Sequence, residues 1–256
     1  MRESPSSTQV PQVHVEGLTM AYGRNVVQHD LGFDILGAEV FAIIGASGCG
    51  KSTLLRHLIG LQAPASGRVC YGDDDINDDD AEVQARLRRR FGVAFQSGAL
   101  WSSMTVGENV MLPLEMFAPL GAAEREQQAR AKLELVDLGD QFNAEPAALS
   151  GGMRKRAAIA RALALDPALL YLDEPSAGLD PIISTQLDEL ILRLCKDHGT
   201  TVVMVSHELH SIFAVADRAL FLDAEEKTMT ALDTPQALLE HGPDKVRQFL
   251  RRGKTA

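Results

Sequence analysis

Aromatic side chains are scarce in this chain, at 5% of residues with a single tryptophan. Cysteine is scarcer still. Cys49, Cys70 and Cys195 are odd in number, far apart and free of any CxxC pair. That pattern excludes a disulfide framework and a zinc site, and fits a reducing compartment. Excess positive charge is also missing, since the formal net charge is -10. A nucleic-acid binder needs a basic face to neutralise phosphates, so no nucleic-acid partner is expected. Two local basic clusters exist, Arg86, Arg88, Arg89 and Arg90, and Lys245, Arg247, Arg251, Arg252 and Lys254. Both fit solvated helix faces. Long apolar runs are absent as well. Val40–Ile44 and Thr201–Val205 are strand-sized, whereas a membrane span needs about 20 apolar residues. The first residues, MRESPSSTQVPQ, have no apolar core, which argues against a secretory signal.

What is present is 256 residues with a hydrophobic fraction of 45%. That is enough for one large α/β domain, or a domain with a subdomain. Residues 1–12 read as a disordered tail, and Val13–Leu18 alternates like a strand. Val40–Ile44, Ala168–Leu172, Val202–Val205 and Ala219–Leu222 are short apolar runs of the buried parallel type. Helical patterns between them predict a mostly parallel sheet with helices on its faces. From about residue 97 to residue 164 helical periodicity replaces strands, notably over Ala122–Val136 and Gly151–Leu165. This reads as a helical subdomain inserted into a domain spanning 13–242, with 243–256 as a basic C-terminal tail. Asp73–Asp80 carries six aspartates. It lacks the glycine and terminal glutamate of a calcium loop and reads as a solvated surface loop.

Gly45, Ala46, Ser47, Gly48, Cys49, Gly50, Lys51 and Ser52 match GxxxxGK(S/T) in full, after an apolar strand and before a helical stretch that opens on Lys51, Ser52 and Thr53. Glycines let the backbone wrap phosphate oxygens, amide N–H groups form an anion nest, and the helix start adds its positive end. Lys51 supplies a point charge for the β- and γ-phosphates, and Ser52 a hydroxyl for Mg²⁺. Cys49 reads as a small filler of the loop.

The run Ala168–Leu172 ends in Asp173 and Glu174. Ligands of open α/β sheets sit beyond the carboxyl ends of strands, so both acids are expected near the phosphates. Asp173 is assigned to Mg²⁺, which keeps part of its water shell, and Glu174 to the attacking water. His207 follows another strand end and reaches the same region, where it can donate to the γ-phosphate; a lone histidine also fits a structural role. Leu149, Ser150, Gly151, Gly152 and Met153 open a long helix, with Ser150 as N-cap. This is a second anion-binding helix start, although an ordinary capped helix has the same look. Two half-sites on one chain make sense if two copies complete each other across a two-fold axis.

Taken in order, Tyr22, the cradle, Gln96, LSGGM at Leu149–Met153, Asp173-Glu174, the segment Ser176–Asp180 and His207 closely resemble ABC transporter ATPases over nearly all of residues 13–240. The resemblance implies a P-loop NTPase core with a mostly parallel sheet, an N-terminal antiparallel β portion and the inserted helical subdomain. It implies ATP and Mg²⁺ as ligands, with Ser52, Gln96 and Asp173 at the metal. It also implies that Tyr22 stacks on adenine and that Gln96 contacts Mg²⁺ or water and senses a permease. Asp180 then bridges two protomers, and Glu174, His207 and Gln96 form the catalytic set. Ser176 stands where threonine is usual.

Phe95–Val110 (FQSGALWSSMTVGENV), Met153–Arg156 and Val246–Leu250 are more narrowly similar to the ATPases of maintenance-of-lipid-asymmetry (Mla) systems, with Trp101 where phenylalanine is more usual. That implies phospholipid trafficking from the cytoplasmic face of a bacterial inner membrane. The implied partners are a second copy of the chain, an integral permease, an MCE-domain lipid-binding protein and a small STAS-domain protein. Rival readings are a transporter ATPase for another cargo, a non-transport ABC ATPase, and a nucleotide-binding regulator without hydrolysis.

Overall fold

The computed structural model describes residues 11–251. Ten strands and nine α-helices are found among them. The strands are β1 (Pro11–Tyr22), β2 (Asn25–Leu36), β3 (Val40–Gly45), β4 (Ser66–Tyr71), β5 (Asp74–Asp75), β6 (Phe91–Ala94), β7 (Leu169–Asp173), β8 (Thr201–Val205), β9 (Arg218–Leu222) and β10 (Met229–Asp233). They form two sheets. One is antiparallel, in the order β2-β1-β4-β5; the other runs β10-β9-β3-β8-β7-β6 and is parallel except for its β9–β10 edge. The expected fold class is therefore the observed one.

Strand β3 is buried along its whole length between β8 and β9. A strand covered on both faces has to be apolar throughout, which is why Val40–Ile44 shows no alternation. Its side chains still divide by face, because successive Cβ atoms point oppositely. Val40, Ala42 and Ile44 join Leu170, Leu172, Val202 and Met204 in one core cluster. Phe41 and Ile43 join Tyr171, Val203, Val205 and Leu222 in the other, shared with the antiparallel sheet.

On that second face lies α1 (Lys51–Leu58). The short α2 (Ala81–Leu87) precedes β6. Between β6 and β7 the chain is helical, with α3 (Val106–Phe117), α4 (Ala122–Leu135) and α5 (Gly151–Ala162), and no strand interrupts it. Val106, Val110, Ala129 and Leu133 of this region belong to the same apolar cluster as the sheet, so its core is continuous with that of the sheet. Next come α6 (Pro181–His198) after β7, α7 (Leu209–Val215) after β8, then α8 (Pro235–His241) and α9 (Asp244–Arg251).

Three sequence expectations need correction. Strand β1 takes in Pro11 and Gln12, the last residues of the expected tail; residues 1–10 lie outside the described residues. The expected tail from 243 onward begins with a docked helix. Val246 and Leu250 of α9 are fully buried, and Phe249 meets Phe221 edge-on at 5.4 Å. Lys245 reaches Asp223 at 3.2 Å and Glu225 at 2.8 Å. Apolar residues four apart make one stripe of a helix, and here that stripe outweighs the basic charge around it. Arg252 and Lys254 lie outside the described residues. Finally, Asp73–Asp80 is more than a solvated loop. It holds β5, buries Ile76, and ends on Asp80, whose carboxylate accepts from the Glu82 amide at 2.7 Å to cap α2.

Candidate active site

The strand-to-helix turn after β3 sets the site. Gly45, Gly48 and Gly50 all have positive φ. At Gly45 a Cβ would lie 2.6 Å from the Leu222 carbonyl oxygen and 2.8 Å from Cys49 Sγ, so no larger residue fits this turn. Beneath the loop, Gln28 is wholly buried and donates its amide to the carbonyls of Cys49 at 2.7 Å and Asp223 at 2.9 Å. It ties the antiparallel sheet to the loop. Cys49 is 2% exposed, and burial pushes its thiol pKa up. Its side chain packs beneath the loop and does not line the cleft.

Every other cradle residue, with Thr53, lines a cleft of about 660 Å³. Gln96, Glu174 and His207 face the same cleft, and Tyr22 stands half exposed at its rim. Lys51 is nearly buried, and its ammonium donates to the carbonyls of Gly45 at 3.0 Å and Ala46 at 3.1 Å. The loop thus holds the cation against its own backbone, ready to exchange those carbonyls for phosphate oxygens. Ser52 Oγ donates to Asp173 Oδ1 at 3.3 Å. Burial raises the Asp173 pKa, opposed by the Ser52 hydroxyl. Hydroxyl, carboxylate and amide oxygens from Ser52, Asp173 and Gln96 are the hard donors that suit Mg²⁺.

At the end of β7, Glu174 takes φ 50°, left-handed for a non-glycine residue. Such backbone costs of order 1–3 kcal/mol and persists only where surroundings enforce it. Here the Glu174 N–H donates to the Val205 carbonyl at 2.9 Å. The side chain is held too, since His207 Nδ1 donates to Glu174 Oε1 at 2.9 Å and lies 2.8 Å from Oε2. A carboxylate paired with an imidazole, facing a lysine-bearing anion nest, can orient water against a phosphoryl group.

The other predicted residues lie elsewhere on the chain. Ser150 Oγ accepts from the Met153 amide at 3.2 Å and caps α5. Ser150 and Gly152 line a separate crevice of about 250 Å³ with Ile183 and Gln186. Asp180 Oδ1 accepts from the amides of Ile182 and Ile183, both at 3.0 Å, and caps α6. Within one chain, then, neither Asp180 nor the helix start at Ser150 joins the cradle.

Sequence reasoning missed several contributors. Val27 and Phe249 line the cleft. Lys155 Nζ donates to the carbonyls of Glu174 at 3.0 Å and Ala177 at 2.7 Å. Arg161 donates to the carbonyls of Ala99 at 2.7 Å and Gly98 at 2.9 Å, which fastens the loop after Gln96. These are long-range contacts from side chains to backbone, and no local spacing announces them.

Comparison with known proteins agrees with this geometry. Residues 28–177 match the family described as ABC transporter. The chain is 37% identical over 238 residues to the probable ribonucleotide transport ATP-binding protein mkl of Mycobacterium leprae, covering 93% of this chain and 68% of that protein. It is 42% identical over 205 residues to the methionine import ATP-binding protein MetN of Xanthomonas oryzae pv. oryzae, covering 79% of this chain and 60% of that protein. Among solved structures it resembles the ATP-binding cassette MJ0796, a dimer in a post-hydrolysis state with ADP and Pi. The TM-score is 0.78 with 30% identity, over 87% of this chain and 98% of that one. It also resembles cbiO1 from Clostridium perfringens, part of the ABC transporter complex cbiONQ. There the TM-score is 0.82 with 26% identity, over 96% of this chain and 98% of that one.

Proposed function

The chain belongs to the ABC transporter family as an ATP-binding, ATP-hydrolysing cassette, and from that premise we propose that it works as a dimer that shares its nucleotides. Each ATP lies in the cradle Gly45–Ser52 of one copy, under the helix start Ser150–Gly152 of the other. The observation that carries this reading is the division of the site. Cradle, Glu174 and His207 face one cleft, while Ser150 and Gly152 line another. A two-fold axis lets each chain supply what the other lacks.

In this mechanism Lys51 leaves the carbonyls of Gly45 and Ala46 for the phosphates, and the loop amides neutralise the rest of their charge. Tyr22 covers the base. Ser52, Asp173 and Gln96 would hold Mg²⁺, which would supply charge neutralisation at the phosphates. Glu174 takes a proton from the attacking water, and His207 fixes the carboxylate and donates toward the γ-phosphate. Asp180 meets the partner protomer near the same nucleotide. Closure and reopening then do work through the difference in nucleotide affinity between the two states.

An integral membrane permease docks on the surface around Gln96–Asn109. Support comes from Trp101, 59% exposed on a loop that Asn109 holds rigid. Its side chain accepts from the Trp101 amide at 2.7 Å and donates to the Trp101 carbonyl at 3.0 Å. Among the described residues no helix is long and apolar enough to cross a membrane, which fits a peripheral subunit on the cytoplasmic face of an inner membrane. The Mla-like segments at Phe95–Val110 and Val246–Leu250 support phospholipid as cargo, with an MCE-domain and a STAS-domain protein as further partners. A second reading, small-molecule cargo, is favoured by relatives named for ribonucleotide transport and methionine import. Lipid analysis of the permease complex copurified with this chain separates the two. Bound phospholipid that is released on ATP hydrolysis supports the first; a complex that carries no phospholipid and whose permease instead binds methionine or a ribonucleotide refutes it.

The catalytic assignment is tested by Glu174→Gln. Turnover is expected to fall by about 10²-fold or more, with an ATP-bound dimer accumulating in light scattering. Turnover at the wild-type rate refutes the assignment.

A further inference from the structure

Lys155 sits one turn beyond the start of α5 and reaches away from its own helix. Its ammonium donates to the carbonyls of Glu174 at 3.0 Å and Ala177 at 2.7 Å. Those two residues bound a tight turn, closed by the Ala177 amide on the Glu174 carbonyl at 3.3 Å. The chain continues from this turn to Asp180, the cap of α6. Glu174 is therefore gripped at three points. Its amide is held by Val205, its carboxylate by His207, and its carbonyl by Lys155. Only the last grip comes from the helix that opens at Ser150–Gly152.

From this arrangement we propose that Lys155 is a positioning residue that couples the two half-sites of one chain. It ties the helix start that covers the partner's nucleotide to the glutamate that acts on the chain's own. The inference rests on the reading of Glu174 and Ser150–Gly152 given above. An α-helix is stiff along its axis, so an anion captured at the α5 start displaces the first turns together. Lys155 lies within those turns, and its two charged hydrogen bonds carry the displacement to the Glu174 carbonyl. Because Glu174 is in the left-handed region, its backbone has few alternative wells, and a shift of its carbonyl swings the carboxylate relative to the cleft. Hydrolysis in one cradle then depends on capture of the second nucleotide, which is reciprocal coupling between sites. The ammonium is needed because it satisfies two carbonyls at once from a long stem. Burial lowers the Lys155 pKa, while the nearby carboxylates of Glu174 and Glu208 favour its charge.

The test compares Lys155→Met, Lys155→Arg and Glu174→Gln in the full chain by steady-state ATP hydrolysis. Methionine keeps the apolar stem and loses every donor. It is expected to lower kcat about tenfold, the worth of one charge-assisted hydrogen bond. KM should stay nearly unchanged, and the Hill coefficient for ATP should fall from roughly 2 toward 1. Arginine, which also donates to two carbonyls, is expected to restore both kcat and cooperativity. Wild-type kcat and Hill coefficient in the Met variant overturn the proposal. So does a kcat loss that leaves cooperativity untouched, or that Arg fails to rescue, because a merely structural lysine behaves that way. If Glu174→Gln is inactive while Lys155→Met is normal, the coupling fails and the site reading stands. If Glu174→Gln is itself active, the site reading fails first.

Discussion

Gly92→Ala offers a test in which ordinary reasoning and the packing of this fold predict opposite signs. Alanine in a strand is normally favoured over glycine, because the unfolded chain loses freedom; the gain is about 0.4–1 kcal/mol. Gly92, however, lies in β6 beneath the last residue of α5. A Cβ there would come within 2.7 Å of the Ala162 carbonyl carbon and 3.1 Å of its Cα, and closer still to its oxygen. All these atoms are backbone, so no rotamer change relieves the clash. Overpacking of this kind costs about 3 kcal/mol at the upper end of its usual range, which leaves a net loss near ~2 kcal/mol. For a domain of this size that loss lowers Tm by about 4–8 °C. The end of α5 also carries Arg161, which holds the carbonyls of Gly98 and Ala99 just after Gln96. Pushing α5 outward should therefore slow ATP hydrolysis as well as soften the fold. Calorimetry with a parallel hydrolysis assay reads both. A Tm equal to or above wild type would refute the claimed approach of helix to strand.

Two buried titratable groups make opposite predictions about pH. His57 is fully buried, and Nδ1 donates to the Thr53 carbonyl at 2.8 Å. Burial lowers its pKa from 6.5, so the unfolded chain takes up a proton that the folded chain refuses. Stability should fall as pH drops below that value, and His57→Gln should flatten this part of a Tm-against-pH curve. Asp188 is 4% exposed, and burial raises its pKa above 3.8, opposed by the Ser211 hydroxyl beside it. A raised carboxyl pKa gives stability below the unfolded value that is lost as pH rises through the folded one. Asp188→Asn should therefore raise Tm at pH 7, with the gain shrinking toward pH 4; a uniform loss of Tm would contradict this.

How far the sequence could be read depended on the range of the interactions involved. The cradle, the acid pair after β7 and the capped helix at Ser150 were legible because each is local. A turn needs glycine, an anion needs successive amides, and a helix start needs a cap. The central strands showed through their unbroken apolar runs. Strand β6 did not, because four residues containing Gly92 and preceded by three arginines carry little pattern. Helix α9 was obscured by Lys245, Arg247 and Arg251, although Val246, Phe249 and Leu250 sit at helical spacing. The grips of Lys155 on Glu174, of Arg161 on the loop after Gln96, and of Gln28 on Cys49 join distant parts of the chain through backbone carbonyls. A carbonyl has no residue identity, so sequence alone cannot mark it as a partner.

The shared nucleotide is most directly tested by mixing two inactive variants, Lys51→Ala and Ser150→Phe. Each alone spoils both composite sites of its own dimer. A mixed dimer pairs the sound cradle of the Ser150→Phe copy with the sound helix start of the Lys51→Ala copy. Exchange of subunits should therefore restore measurable ATP hydrolysis, at most about a quarter of the wild-type rate, since half of the dimers are mixed, each holds one good site of two, and that site lacks the boost of a second captured nucleotide. A mixture as inactive as its parts would contradict the account.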